Sequence, residues 1–579
     1  MSTGGATTDV PRLRLVARGD DAIIVHTLTA SCDIAMTERV DAAAWRRLVS
    51  DADPATRWVW NDTTQWYPDL LRAGIVVARC HDLRLCHAIL RDAAAVTDAA
   101  ALRAARSWDA AATEAASQTA PALFELGGDD GAASSATPVD AEEVFAEFVR
   151  QQRALASSAE PARLKLLLAA ESAGALLAVE LNEAGLPWSR AVHEQLLEEA
   201  LGPRPASGAV PQRVRELATV VRAALGDPTA SLDSQPKLLR SLHRVGVLAQ
   251  STSRWELAEY DHPAIAPLLA YKKLTRLLSA NGWAWLDEWA ADGRFRPVYV
   301  PGGVVTGRWA SSGGGALQLP RQLRPAVRAD PGWTLVVADV AQLEPRVLAA
   351  MSADTALAAA ARGRDLYEGI VNSGVVQTRQ EAKIAVLGAM YGATTGDSGR
   401  LVPALRRAYP RAMGLVDDAA RVGEQGGLVS TWLGRSSPGP SPRWHQIQAA
   451  AAEPNATPAD HARARSSARD RGRFTRNFVV QGTAAEWALA WLADLRGELA
   501  TWGRVEPDAA APASGAVFGR RAHLAFFLHD EIIVHTPIAH TDRVAEAVRA
   551  SAERAARLLF GSFPIDFPLD LRISADAAK

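Results

Sequence analysis

Cysteine is scarce in this chain: Cys32, Cys80 and Cys86 are the only three among 579 residues. Their spacing matches no metal site, and the scarcity fits a reducing cytoplasm. An excess of charge of one sign is also lacking, since 63 Lys and Arg stand against 65 Asp and Glu, a formal net charge of −2. Any contact with nucleic acid must therefore rest on local charge. No uncharged apolar run approaches the ~20 residues of a membrane span. The opening Met1-Ser-Thr-Gly-Gly-Ala6 lacks the basic and apolar regions of a signal peptide. With 48% hydrophobic and 22% charged residues the composition is globular, and the length implies more than one domain. The expectation is a cytoplasmic chain with no membrane contact.

Residues 1 to about 105 alternate strand-like runs (Leu13–Val16, Ala22–His26, Ile75–Ala78) with helical ones (Ala42–Val49, Leu85–Arg91). This predicts a small α/β domain. From about 108 to 140 the chain is rich in Ala, Ser, Asp and Thr and reads as a linker or mobile loop. Amphipathic helical patterns such as Leu166–Leu181 dominate up to about 290. Beyond that point strands and helices alternate, and every strong motif falls there. Ser436–Pro442 and Glu506–Gly519, rich in Pro, Gly or Ala, read as poorly ordered. No internal repeat is present.

Two acidic positions break apolar, β-prone runs. Asp339 ends Leu335-Val-Val-Ala-Asp339, and Asp530 with Glu531 lies between Leu524–Leu528 and Ile532–Val534, a pattern that predicts a hairpin. An unpaired carboxylate on a buried strand costs on the order of several kcal/mol. Two strands that each deliver an Asp point to a shared metal ion, the geometry of two-metal phosphoryl transfer. Hard oxygen ligands favour Mg²⁺ over zinc. Alone, Asp339 also reads as a residue satisfying backbone donors beside a helix, and Asp530-Glu531 as a plain turn. Pro345 places the start of the helix after Asp339 near that proline.

Arg379, Lys383, Leu387 and Tyr391 recur every four residues and share one helical face. Its two cations can neutralise a triphosphate and its ring can stack on a base; the alternative is a solvated basic face. Gly388 and Gly392 each weaken a plain helix by about 1 kcal/mol relative to Ala, which favours close approach by a ligand or another backbone. A second cationic set (Arg463, Arg465, Arg469, Arg471, Arg473, Arg476) leads into Asn477 and Gln481. Arg473, Asn477 and Gln481 again share a face, one able to meet phosphates, sugars or bases. Thr306-Gly307-Arg308, the Gly-rich Ser311–Gly315 and Leu317-Gln318 form a weaker candidate for tracking a phosphate backbone. Acid, basic helix, acid is the order of a nucleotidyl transferase.

In combination these motifs resemble the family A DNA polymerases, the bacterial DNA polymerase I type, from about Leu166 to the C-terminus. Asp339-Val-Ala-Gln-Leu-Glu-Pro-Arg346 resembles motif A, usually Asp-Tyr-Ser-Gln-Ile-Glu-Leu-Arg. Arg379–Gly392 resembles motif B, and His529-Asp530-Glu531 is motif C verbatim. Thr306-Gly-Arg308 with Leu317-Gln318 resembles the template-primer segment; Leu232–Leu238, Ser251-Thr252 and Tyr271–Leu277 resemble the thumb. The fold implied is multidomain, α/β and α+β. An RNase H-like, 3′–5′ exonuclease-type domain would span 1–155. A right-hand polymerase of palm, fingers and thumb would span 156–579, with the thumb mainly 156–290 and palm and fingers 291–579.

The resemblance implies a catalytic set of Asp339, Asp530, Glu531 and Lys383, with two Mg²⁺ ions on Asp339, Asp530 and the Val340 carbonyl. Arg379 and Lys383 would grip the triphosphate, and Lys383 would also protonate the leaving group. Gln342, Leu387, Tyr391 and His529 would border the nucleotide. Glu344, against Tyr391, would fill the space a 2′-hydroxyl needs and so favour dNTPs. Arg308, Gln318, Arg473, Asn477 and Gln481, with His529, would hold primer and template. Leu387 departs from the Phe or Tyr usual in the family, at a position that packs on the incoming sugar.

The N-terminal region stands where the family carries its proofreading exonuclease. Trp58-Val-Trp-Asn61 through Asp82–Leu90 resembles that domain's central segment, which makes Asp82 a remnant carboxylate. The strand-borne Asp-x-Glu is missing; the nearest candidates, Asp20-Asp21 and Asp51-x-Asp53, are loop-like. No Tyr-x-x-x-Asp follows the linker, so hydrolysis should lose most of its charge stabilisation. A 5′-nuclease domain is expected to be absent. The expectation is a monomeric, nucleoid-associated, template-directed DNA polymerase of replication or repair, acting on primer-template DNA and dNTPs. The alternatives are a bifunctional enzyme with an active N-terminal nuclease, and a non-catalytic DNA-binding protein.

Overall fold

The computed structural model describes residues 13–109, 137–206, 208–313, 315, 319–363, 365–392 and 396–578. Most of the expected linker and Gln318 lie outside these residues. Two compact units emerge. One comprises Met1–Gly185, Pro297–Leu317 and Asp330–Ser574; the other comprises Leu186–Arg296, Gln318–Ala329 and Ala575–Lys579.

The first unit begins with β1 (Leu13–Arg18), β2 (Ile23–Leu28), β3 (Ile34–Val40), β4 (Arg57–Trp60) and β5 (Arg79–Asp82), in sheet order β3-β2-β1-β4-β5. The first three run antiparallel, whereas β1, β4 and β5 run parallel. Trp58, Val59 and Trp60 are all buried, the continuous apolar run that a two-sided parallel strand requires. Trp45, from the helix Ala42–Ser50, meets both Trp58 and Trp66 of the helix Thr63–Arg72 edge to face. The last strand is Arg79–Asp82, not Ile75–Ala78: Gly74 closes the preceding helix with φ +80°, and Ile75 donates back to the Leu70 carbonyl.

Helix α1 (Pro161–Ala184) leads out of this layer. The second sheet contains β6 (Trp333–Val340), β7 (His523–Leu528), β8 (Glu531–Pro537) and β9 (Leu569–Ser574), in the order β7-β8-β6-β9 and antiparallel throughout. Strands β6 and β8 are buried almost end to end by their Val, Ile and Leu side chains. Helices α2 (Leu343–Met351), α3 (Arg379–Tyr391) and the 43-residue α4 (Pro458–Ala500) complete the frame around the sheet. Leu366, Ile370, Val386, Met390, Leu405, Val416 and Phe478 share one apolar cluster that fixes α3 against its neighbours.

Three local expectations change. Helix α2 starts at Leu343, after a left-handed Gln342 with φ +49°. Pro345 is then the third helical residue, where the missing N–H still costs nothing. Ser436–Pro442 is ordered, because the Ser436 hydroxyl accepts the Ala94 N–H at 2.8 Å and Ser437 donates to the Val429 carbonyl at 2.8 Å. Glu506–Gly519 folds into short helical turns that bury Val517 and Phe518.

Buried Glu486 on α4 accepts the Leu433 N–H at 2.9 Å and the Thr431 hydroxyl. Burial pushes its carboxyl up to about 7. Between the unfolded value, about 4.5, and about 7, only the folded chain keeps this proton. Stability therefore falls as pH rises through that window, by on the order of 3 kcal/mol. Glu486→Gln keeps both contacts without the titration. Its melting temperature is expected to gain on the native chain as pH rises from about 5 to 7.5. Parallel melting profiles for the two chains would show that Glu486 does not titrate in that range.

The second unit is largely helical, with Arg190–Leu201, Gln212–Ala224, Gln235–Arg244, Ile265–Asn281 and Trp283–Trp289. Trp188, Trp285 and Phe295 pack around buried His193. Among the described residues no helix is long and apolar enough to cross a membrane.

Candidate functional site

Asp339 sits one residue before the end of β6, opposite Glu531 of β8 on one side and Asp570 of β9 on the other. Leu528 pairs with Glu531, so His529 and Asp530 form a two-residue hairpin turn. His529 adopts φ +56°, the left-handed backbone that lets a tight turn follow the twist of its strands. For a residue with a Cβ this costs about 1–2 kcal/mol. The Val340 N–H donates to the Asp530 carbonyl at 3.0 Å and locks the turn beside the end of β6.

Asp530 is pushed up to about 6, first by burial and next by the negative charge of Asp339. A cation would relieve both effects. Among the described residues no three His, Cys, Asp or Glu side chains gather into a closed metal cage. Two carboxylates with room for outside oxygens suit Mg²⁺, which binds through one or two carboxylates plus water and phosphate. Glu531 begins β8 and is only 3% exposed, so the turn presents Asp530 alone.

Beside this pair lies a cavity of about 300 Å³, lined by Arg308, Gln342, Glu344, Leu387, Tyr391, His529 and Asp530 and walled by Trp309, Tyr367 and Phe527. The Tyr391 hydroxyl donates to Glu344 at 2.6 Å, and Arg308 pairs with its other oxygen. Glu344 is thus fixed from two sides. Arg379 donates to Asp365 at 2.8 Å and lies over the Tyr367 ring; Gln342 donates to the same Asp365 oxygen at 2.9 Å. Lys383 is exposed one turn further along α3, and neither cation lines the cavity.

On α4, Arg473 is exposed and paired with Asp470, Gln481 is half-buried, and the buried Asn477 Oδ1 has no hydrogen-bond partner. Two members of the arginine set do not face outward. Arg471 is buried and donates to the Gly427 and Pro438 carbonyls, both at 3.0 Å. Arg476 donates to the Ala389 carbonyl at 2.7 Å and pairs with Asp417. Both hold backbone in place, leaving Arg463, Arg465, Arg469 and Arg473 as the exposed cations. The close approach expected at the two α3 glycines comes from the chain itself. A Cβ on Gly388 would lie 2.7 Å from Ser398, and one on Gly392 would lie 2.8 Å from the Arg473 side chain.

Asp82 is completely buried, and both oxygens are committed. One accepts the Leu85 N–H at 3.0 Å; the other accepts the Thr63 N–H at 2.8 Å and its hydroxyl at 2.7 Å. It caps a helix. Asp365 was not singled out from sequence, although Asp365-Leu-Tyr-Glu368 carries the spacing of a helix N-terminus, and Asp365 does accept the Glu368 N–H at 3.0 Å.

Comparison with known proteins adds to this geometry. DNA polymerase I of Chloroflexus aurantiacus is 29% identical over 325 residues, covering 52% of this chain and 30% of the relative. The thermostable DNA polymerase I of Thermus thermophilus is 25% identical over 407 residues, covering 63% and 43%. The chain spans less than half the length of these curated relatives. The polymerase domain of Pol1 from M. smegmatis, solved in complex with DNA primer-template and dNTP, shares the fold. Its TM-score is 0.62 at 19% identity, over 96% of this chain and 93% of that one. The model of DNA polymerase family A matches residues 234–577, more than half of the sequence. The chain belongs to DNA polymerase family A.

Proposed function

We propose that this chain is a template-directed DNA polymerase that joins dNTPs to a primer 3′-hydroxyl. The carrying observation is the paired strand-end carboxylates of Asp339 and Asp530, with Asp530 pushed up to about 6, beside a cavity that presents Glu344 and Tyr391. Asp339, Asp530 and the Val340 carbonyl would hold two Mg²⁺ ions, with Glu531 behind them. When bound, such ions lower the pKa of an attacking hydroxyl and offset the charge of leaving pyrophosphate.

Lys383 and Arg379, one turn apart, bind the triphosphate. Arg379 exchanges its bond to Asp365 for phosphate, and Lys383 gives a proton to the leaving group. Gln342, Leu387 and His529 border sugar and base. Arg308, Gln318, Arg473, Asn477 and Gln481 hold primer and template; the open acceptor on Asn477 supports that role. The partners are primer-template DNA and dNTPs, and the enzyme works as a monomer at the nucleoid.

Residues 1–155 are assigned to an exonuclease-like domain and 156–579 to the polymerase, with the thumb mainly 156–290. The sheet order β3-β2-β1-β4-β5 supports the RNase H-like part of this reading. The commitment of both Asp82 oxygens to backbone and hydroxyl donors supports loss of proofreading.

Glu344, clamped by Arg308 and Tyr391, excludes a 2′-hydroxyl. Glu344→Ala is expected to raise ribonucleotide use relative to dNTP by about 10- to 200-fold, the range a small steric change in a pocket gives. An unchanged ratio of kcat/KM values would remove that role. The activity itself is tested by offering single dNTPs on four primer-templates that differ only at the templating base. Addition of the complementary nucleotide alone is expected; addition without regard to the template, or none, overturns the proposal.

A further inference from the structure

Arg435 lies in the loop before the Pro442–Ala452 helix and reaches Glu171 on α1, which is 1% exposed. The pair is incompletely satisfied, for Arg435 Nε and Glu171 Oε2 are both buried without a hydrogen-bond partner. Two apolar side chains would join loop to helix at lower desolvation cost. What the guanidinium does beyond pairing is visible at Gly307. A Cβ added there would sit 2.7 Å from Arg435 Nε and 3.0 Å from its Cζ, so the cationic plane lies directly against this glycine.

Gly307 has φ +85° and stands in a turn closed by two backbone bonds, Gly307 N–H to the Val304 carbonyl at 2.8 Å and Val304 N–H to the Arg308 carbonyl at 3.1 Å. The turn also lies close to α4: a Cβ on Gly482 would lie 3.1 Å from the Thr306 carbonyl. The next residue, Arg308, enters the cavity and pairs with Glu344. The Arg435 loop is itself fixed, since the Thr431 N–H donates to the Arg435 carbonyl, the Arg435 N–H donates to the Thr431 hydroxyl, both at 2.9 Å, and the Leu433 N–H donates to Glu486. Arg435 does not line the cavity.

We propose that Arg435, anchored by Glu171, is a positioning residue: it braces the Val304–Arg308 turn and thereby sets where Arg308 and Glu344 meet the nucleotide sugar. This rests on the reading of the cavity as the nucleotide site. A rigid stop is needed there because Arg308 bears on Glu344 through a flexible side chain, and an error near 1 Å at such a point can cost about 100-fold. Lysine cannot replace it, because an ammonium has no plane to lie against Gly307.

The test compares the full chain with Arg435→Ala, Arg435→Lys and Glu171→Gln, measuring kcat and KM for a dNTP and its matching rNTP, primer-template affinity and melting temperature. Arg435→Ala is expected to raise dNTP KM by on the order of 10- to 100-fold and to reduce preference over rNTP, with DNA affinity retained. Arg435→Lys, which keeps charge on Glu171, should melt near the native temperature yet still discriminate poorly. Glu171→Gln should shift the same ratio in the same direction by less, and it carries the test if Arg435→Ala does not fold. Lower melting temperatures with unchanged KM and unchanged dNTP preference in every folded variant would overturn the positioning role. Absence of incorporation by the unaltered chain would overturn the reading of the cavity, and this proposal with it.

Discussion

Asp530→Ala is expected to lower primer extension by on the order of 10³-fold or more while leaving primer-template affinity nearly unchanged. The side chain supplies one of two carboxylates at the ends of adjacent strands, and its chain neighbour Glu531 cannot substitute, because it is buried in β8. The fold does not depend on the side chain. Its backbone carbonyl still accepts the Val340 N–H, and removing the carboxyl ends its repulsion with Asp339. The melting temperature should therefore hold or rise slightly. Single-turnover extension with a parallel binding titration measures both sides. Lost binding or a large fall in melting temperature would make Asp530 a structural residue instead.

The second large effect concerns stability. Arg496→Met is expected to cost about 3–5 kcal/mol, the loss that follows when one member of a buried ion pair is removed. Arg496 on α4 donates to both oxygens of Glu180 on α1, at 2.8 and 2.6 Å, and to the carbonyls of Val77 and Ala78 at 2.6 and 3.1 Å. Tyr67 donates to the same carboxylate at 2.5 Å. Methionine would leave Glu180 charged, buried and short of donors, with two carbonyls open. Removing both charges in Arg496→Met with Glu180→Leu should recover most of the loss. Denaturant unfolding of the two variants decides it; an unchanged midpoint for Arg496→Met would show that the pair contributes nothing net.

How much of this was legible from the sequence depends on what kind of signal each residue carries. Strands β6, β7 and β8 stand out as apolar runs rich in β-branched or, in β7, aromatic residues, and an acid beside such a run is conspicuous because burial there is costly. Strand β3, Ile34-Ala-Met-Thr-Glu-Arg-Val40, escaped notice because it is an edge strand with most residues exposed and no alternation to read. The arginines after Arg463 show the opposite failure. A cationic stripe looks uniform in sequence, yet Arg471 and Arg476 turn inward because open carbonyls at Gly427, Pro438 and Ala389 await donors. Those carbonyls belong to distant segments, and no periodicity announces them. Glu171 and Arg435 are equally invisible, since their contacts form only when the chain has folded, and the helix-start spacing of Asp365 says nothing of its bonds to Arg379 and Gln342.

The central claim is that this chain extends primers and does not trim them. The most direct measurement follows a 5′-labelled primer on a longer template with Mg²⁺, in the presence and absence of dNTPs. Growth with dNTPs and an unchanged primer without them is the predicted result. A primer that shortens without dNTPs would contradict the loss of proofreading, and one that never grows would contradict the polymerase assignment itself.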